Sequence, residues 1–167
     1  MAELTVRAFR AADYVAAVRE AGLAHDWQDP WLVGRAHERF GVAWTAEIDG
    51  ALALLAGVDL PWPGRGEPWA VWTPLGQRHA GPLHRQVLRR LGQVIAEHRL
   101  RRLQMECVAD FAAARRWIAH VGAYLARLGW RAEWEVQGQP AALRRPAWGP
   151  QGEDFLLYSW LAPEVAV

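Results

Sequence analysis

Leu4, Val6 and Ala8 alternate with Thr5 and Arg7 at the start of the chain, a period of two that predicts a strand over about residues 3–8. The period then lengthens. From Ala11 to Gly22, Tyr14, Val15, Val18 and Leu23 fall on one face of a helix, with Gly22 as its stop signal. Asp29-Pro30 reads as an N-cap followed by a first-turn proline and opens a short helix through Phe40. Two apolar runs, Val42–Ile48 and Ala51–Val58, are joined by Asp49-Gly50, the signature of a tight hairpin.

Asp59 to Glu67 carries two prolines and two glycines and reads as a loop. Trp69–Trp72 is short and apolar enough for a buried strand, and a second loop, Thr73–Gly81, precedes a helix from Pro82 to about Arg99. In that helix Leu83, Val87, Leu88, Leu91, Val94 and Ile95 recur at helical spacing. Leu103, Met105 and Cys107 alternate with Gln104 and Glu106 as a strand. Ala112–Leu128 follows as a helix whose buried face holds Ala114, Trp117, Ile118, Val121, Leu125 and Leu128. Trp130–Val136 and Phe155–Leu161 close the chain as strands, separated by a connection rich in Pro, Gly and Arg. The order β-α-α-β-β-β-α-β-α-β-β predicts an α/β fold, a mixed sheet of six or seven strands with helices on both faces, in a single domain over residues 1–167.

Composition narrows the function. The chain has 167 residues, 52% hydrophobic, which excludes disorder as its overall state. Its 19 basic and 18 acidic residues leave a net charge of +1, unlike the strongly basic face of a nucleic-acid binder. All 19 basic residues are Arg. One cysteine, Cys107, excludes an internal disulfide and a cysteine-rich zinc site; it reads as core packing. No apolar stretch is long enough for a membrane helix and the first residues lack a signal-peptide layout, so a cytoplasmic protein without a membrane partner is expected. Eleven tryptophans read as core filling, but Trp62, Trp69 and Trp72 stand among Pro61, Pro63, Pro68 and Pro74 and suit the wall of a ligand cleft. His25-Asp26 and His37-Glu38 lack a third ligand at metal-binding spacing, and no metal is expected.

Three segments carry a resemblance: Ala126-Arg-Leu-Gly-Trp-Arg-Ala-Glu133, Trp69-Ala-Val-Trp-Thr-Pro74 and Arg78-His-Ala-Gly81. Together with the element order, they resemble the GNAT superfamily of acyl-CoA-dependent N-acyltransferases. The first is similar to the family's fourth helix running into its next strand. The second is similar to its fourth strand, whose backbone holds the pantetheine arm, and the third falls where its pyrophosphate loop lies. Trp-Ala-Val-Trp-Thr, the Arg-rich helix after it and Arg116-Trp117 are similar to acetyltransferase-like proteins of tailed phages.

The resemblance implies a GNAT-like fold and acetyl-CoA as co-substrate, with acetyl transfer to an amine on a small molecule or a protein. It places a carbonyl-polarising backbone amide at Val71 or Trp72, and phosphate contacts at Arg78, Gly81 and Arg85. Helix N-termini suit anions, although Pro82 removes one N–H and Leu83 stands where the family has a small residue. The family's thiolate-protonating Tyr falls at Leu125 here. Tyr124 lies one residue earlier, about 100° around the helix, and either reaches the cleft or packs. Glu106 is the candidate general base, the alternative being a carboxylate paired with an Arg; Glu67 and Asp59 stand next in line, and His79 lies in the loop. The acceptor side would be built from the segments around Asp26–Pro30 and Pro61–Pro68. Two further functions stay open: a silent phage-derived module with virion partners, and a Trp-lined module for a sugar or peptide. A homodimer fits any of these.

Overall fold

The computed structural model describes residues 2–22, 29–137, 139–146 and 152–163. Leu23, the His25-Asp26 pair and part of the Asp26–Pro30 segment lie outside them. The described chain runs β1 (Leu4–Ala8), α1 (Ala11–Glu20), α2 (Pro30–Phe40), β2 (Gly41–Ile48), β3 (Ala51–Trp62), β4 (Arg65–Trp72), α3 (Pro74–Arg78), α4 (Ala80–Glu97), β5 (Arg102–Val108) and α5 (Ala112–Arg127). Short strands β6 (Arg131–Ala132), β7 (Glu135–Val136), β8 (Gln139–Pro140) and β9 (Leu143–Arg145) then lead to β10 (Phe155–Leu161). By internal contacts the chain divides into two compact units, Met1–Pro61 with Pro68–Glu97, and Trp62–Glu67 with His98–Val167.

In the first unit the strand order is β1-β2-β3-β4. β1 pairs antiparallel with β2, and β2 with β3, through the Asp49-Gly50 turn, whose residues both have positive φ (50° and 77°) as the primed hairpin turns require. β3 is buried without a break from Ala53 to Val58, the pattern of a strand covered on both faces. Leu55 and Val71 meet Phe9, Ala17 and Val18 on the side of α1. α4 buries Leu83, Val87, Leu91 and Val94 and sets Arg90 over the ring of Trp44 on β2, 5.7 Å from its centroid. At the start of α2, Asp29 accepts a hydrogen bond from the backbone N–H of Trp31 at 2.9 Å, with Pro30 in the first turn.

The second unit has the order β4-β5-β10-β6, with β9 also on β10. β10 runs antiparallel to β5 from Phe155↔Val108 to Leu161↔Arg102, and the first residues of β4 run parallel to β5 (Arg65↔Arg102, Gly66↔Leu103). α5 buries Ile118, Val121 and Leu125. It ends in a Schellman motif: Trp130 N–H donates to Leu125 O, Gly129 N–H donates to Ala126 O, and Gly129 has φ +82°. That motif is what Leu-Gly-Trp encodes. Leu128, expected on the buried face, is 43% exposed because it caps the helix, and Trp130 (6% exposed) takes the buried place.

Four expectations are corrected. Asp59–Glu67 is not a loop. β3 continues to Trp62 and β4 begins at Arg65, leaving Pro63-Gly64 as a turn with Gly64 at φ +81° and the Arg65 guanidinium over Trp62 at 4.2 Å. Thr73–Gly81 contains α3, because Thr73-Pro74 is an N-cap and first-turn proline pair. Trp130–Val136 splits into β6 and β7: Glu133 N–H bonds Ser159 O, then β7 turns away to pair with β8. Among the described residues β9 joins on β10 as an eighth strand of the main sheet, one beyond the six or seven expected.

Candidate functional site

The end of β4 is clamped to β3. Thr73, fully buried, donates its N–H to Ala53 O at 3.1 Å and points its hydroxyl between Leu52 O and Ala53 O, each at 3.0 Å. The same hydroxyl accepts from Gly76 N–H at 3.2 Å, opening α3. Gly76 must be glycine for space, since a Cβ there would stand 2.0 Å from Ala53 O. α3 ends with His79 N–H on Gly76 O at 3.1 Å, and α4 begins at Ala80.

The first turn of α4 therefore offers the N–H groups of Ala80 and Gly81, Pro82 having none. Nothing lies within 4 Å of a Cβ built on Gly81, so this helix end is open. Arg85 follows Gly81 by four residues on the same helix face, and Arg78 closes α3; both are exposed. Open N–H groups, the positive end of the helix dipole and two guanidinium groups fit a diphosphate in charge and donor type. On β4 the Val71 side chain is buried with Phe9, Val18 and Leu55, while Trp72 is half-buried, its ring close over Gly76. The Val71 side chain is taken up by the core, so at Val71 a ligand could meet only the backbone.

The same unit holds a second constellation. Asp59, near the end of β3, receives His37 Nδ1 of α2 on both carboxylate oxygens, at 2.9 and 2.8 Å. Trp69 of β4 donates its Nε1–H to Asp59 Oδ1 at 3.2 Å, and its indole stacks on the His37 ring, centroids 3.9 Å apart and planes 25° from parallel. Tyr14 of α1 completes the wall, 5.3 Å from His37 and 6.1 Å from Trp69 between ring centroids. Burial, and then the negative charge of Asp59, push the Tyr14 hydroxyl above its ordinary value.

Glycines make this assembly fit. A Cβ on Gly57 would stand 2.8 Å from Trp69 Cζ2, and one on Gly41 would stand 2.7 Å from Asp59 Oδ1. Gly34 lets α2 approach α1, since a Cβ there would meet Ala11 O at 2.8 Å and Tyr14 Cβ at 3.0 Å. In the sequence His37 stands beside Glu38 with no third metal ligand and Asp59 ranks behind Glu106 as a base, so neither residue marks this constellation. The available signal was an acid closing the apolar run Leu52–Val58.

In the second unit Glu106 lies on the exposed face of β5, opposite buried Met105 and Cys107, and accepts Arg145 Nη1 of β9 at 2.8 Å. Tyr124 is half-buried on α5 with the Arg127 guanidinium over its ring at 5.9 Å. Burial holds the Cys107 thiol above its ordinary value, which suits a packed, unreactive thiol. Glu67 is paired with Arg65. Among the described residues there is no group of three or more His, Cys, Asp or Glu arranged for a metal, and no helix is long and apolar enough to cross a membrane.

No protein-family model and no curated protein matches this sequence. Solved structures do. The ribosomal-protein-S18-alanine N-acetyltransferase of Escherichia coli superposes with a TM-score of 0.66 over 98% of this chain and 97% of its own, at 18% identity. The fold is that of the GNAT acyl-CoA N-acyltransferases. A GNAT-family acetyltransferase of Streptococcus pneumoniae gives a TM-score of 0.61 at 19% identity, covering 95% of this chain and 99% of its own. The protein yncA of Salmonella typhimurium, solved with its cofactor acetyl-CoA, gives 0.63 at 16% identity, covering 98% and 96%. None of these GNAT-fold neighbours is a phage protein, and they favour neither the silent virion module nor the Trp-lined binding module.

Proposed function

We propose that the protein is an acyl-CoA-dependent N-acyltransferase that moves an acetyl group from acetyl-CoA to an amine of a small molecule or a protein. The observation that carries this reading is the likeness of fold, over almost the whole of both chains, to N-acetyltransferases, one neighbour having been solved with acetyl-CoA. The open first turn of α4, flanked by Arg78 and Arg85, supports it with a place for the diphosphate. In this reading the Ala80 and Gly81 N–H groups and both arginines hold the phosphates. The backbone at Val71 and Trp72 binds the arm and polarises the carbonyl. Acetyl-CoA supplies an acyl group activated as a thioester.

The test is thermal unfolding with acetyl-CoA, CoA and acetate. A ligand bound only by the folded state at a hundred times its Kd adds about 2.7 kcal/mol, or about 5–10 °C for a chain of this size. Acetyl-CoA is expected to raise Tm by several degrees and acetate to leave it unchanged. A flat response up to millimolar acetyl-CoA overturns the reading.

A further inference from the structure

The structure assigns a base to the amine: we infer that His37, oriented by Asp59 and backed by Trp69, is the group that takes the proton from the acceptor. This rests on the acyltransferase reading above and deepens it. The argument begins with donors and acceptors. Indole Nε1–H can only donate, so the Asp59 oxygen that it reaches at 3.2 Å is an acceptor. The imidazole meets both oxygens of that carboxylate through Nδ1, which therefore carries the hydrogen. Nε2 is left with the lone pair in the neutral ring. Among the described residues Nε2 has no hydrogen-bond partner. Asp59 thus fixes tautomer and ring orientation together, the part a carboxylate plays behind a catalytic imidazole.

The placement also suits the reaction. Trp69, stacked on the imidazole, lies two residues before Val71 on β4, a step of about 7 Å along a strand. The dyad and the strand proposed to hold the thioester therefore belong to the same unit. Among the described residues, the titratable groups in contact with His37 are Asp59 from β3 and Tyr14 from α1. On α2 itself, Arg35, Glu38 and Arg39 line a different, open surface depression with Leu32, Ala36 and Phe40.

The step balances. An ammonium acceptor gives one proton to His37 Nε2, which passes it to solvent. The freed nitrogen pair attacks the thioester carbonyl carbon. A C–N bond forms, the C–S bond breaks with its electron pair on sulfur, and a second proton from nitrogen ends on the thiol. Glu106, by contrast, is held by Arg145 on the exposed face of β5.

The experiment measures CoA release from acetyl-CoA with an alanine-initiated peptide, spermidine and a panel of amino acids as acceptors, between pH 5.5 and 9.5. Thermal shift with acetyl-CoA is run on every variant. His37→Gln is expected to lower kcat by about 10²-fold or more, the usual worth of a general base, to remove the acidic limb of the pH–rate profile, and to keep the acetyl-CoA shift. Asp59→Asn, which lets the ring turn, is expected to lower kcat at least tenfold with the same shift, and it decides the question if His37→Gln does not fold. Glu106→Gln is expected to keep the wild-type profile. Wild-type kcat and an unchanged acidic limb in His37→Gln, or in Asp59→Asn where that variant decides, overturn the assignment. Loss of the limb in Glu106→Gln does so too, as does a wild type that binds acetyl-CoA and acylates none of these amines. A wild type that does not bind acetyl-CoA at all overturns the acyltransferase reading itself, and the binding arm tells the two failures apart.

Discussion

Asp13 ties the start of α1 to β1 and β2, and replacing it with Asn tests how far that tie stabilises the fold. Its carboxylate accepts Arg7 Nη1 at 2.6 Å and Nη2 at 2.9 Å, the Thr45 hydroxyl at 2.8 Å, and the Arg10 N–H at 3.0 Å. Burial alone would push this carboxyl up, but the bonds from Arg7, Thr45 and the Arg10 backbone together hold it below its ordinary value near 3.8. Asn keeps the shape, loses the charge and turns an NH₂ toward donors. Arg7 is 38% exposed and retains Glu47, so water and that second partner soften its loss; Thr45 is fully buried and has no such relief. Charge-assisted bonds at a mostly buried acceptor are worth about 1.5–3 kcal/mol. A cost of about 2 kcal/mol follows, a fall in Tm of about 4–8 °C.

The pH dependence has a definite sign. A carboxyl with a lowered folded pKa stabilises fully above its unfolded value and loses that contribution as pH falls through the folded one. The gap between wild type and Asp13→Asn should be constant from pH 8 to 5 and narrow below about pH 4. Urea unfolding of both proteins at several pH values measures it. A gap equally wide at pH 3 and pH 7, or no gap at pH 7, would show that the network contributes nothing through its charge.

Two further outcomes follow from the clamped end of β4. Gly76→Ala places a Cβ against Ala53 O and should cost about 3 kcal/mol, the upper range for overpacking; urea unfolding checks it, and a neutral result would mean that α3 shifts freely. Arg78→Ala and Arg85→Ala should each weaken acetyl-CoA binding about twofold to fivefold, as exposed ion pairs do, with the loss shrinking as salt rises. Calorimetric titration at two salt concentrations reads both, and an unchanged affinity in the double variant would remove the arginines from the phosphate site.

The elements that could be read from sequence are those whose signal is local. Asp29-Pro30 and Asp49-Gly50 set their own backbone geometry, so the start of α2 and the β2–β3 turn stand where the residues place them. Thr73-Pro74 carries the same cap chemistry as Asp29-Pro30, yet the glycine two residues on hid a five-residue helix. Pro61 and Pro63 suggested a loop because proline removes a ladder donor; β3 tolerates Pro61 near its end and spends only Pro63-Gly64 on the turn. β6 and β7 look like one strand in the sequence because the alternation from Trp130 to Val136 does not reveal which partner each residue finds.

The residues proposed for the donor side could be named from sequence for the same reason: a strand, a glycine and a helix start lie consecutively in the chain. Those of the dyad could not. His37 and Asp59 are 22 residues apart, and their meeting depends on Gly34, Gly41 and Gly57 leaving space on three elements. No periodicity records a space left empty.

The clasp of Thr73 and Gly76 on Ala53 has a thermodynamic consequence for ligand capture. The turn that leads into α4 is ordered by β3 itself, through three hydrogen bonds to two carbonyls and a backbone approach that admits no side chain. On the acyltransferase reading, a CoA diphosphate arriving at α4 would find the N–H groups already aligned, so association would freeze few new torsions and the entropic cost of forming that nest would be carried by folding. Amide exchange at Gly76 should accordingly be slow in the free protein and change little on saturation, with affinity drawn from contact enthalpy and released water rather than from a loop that folds around its guest.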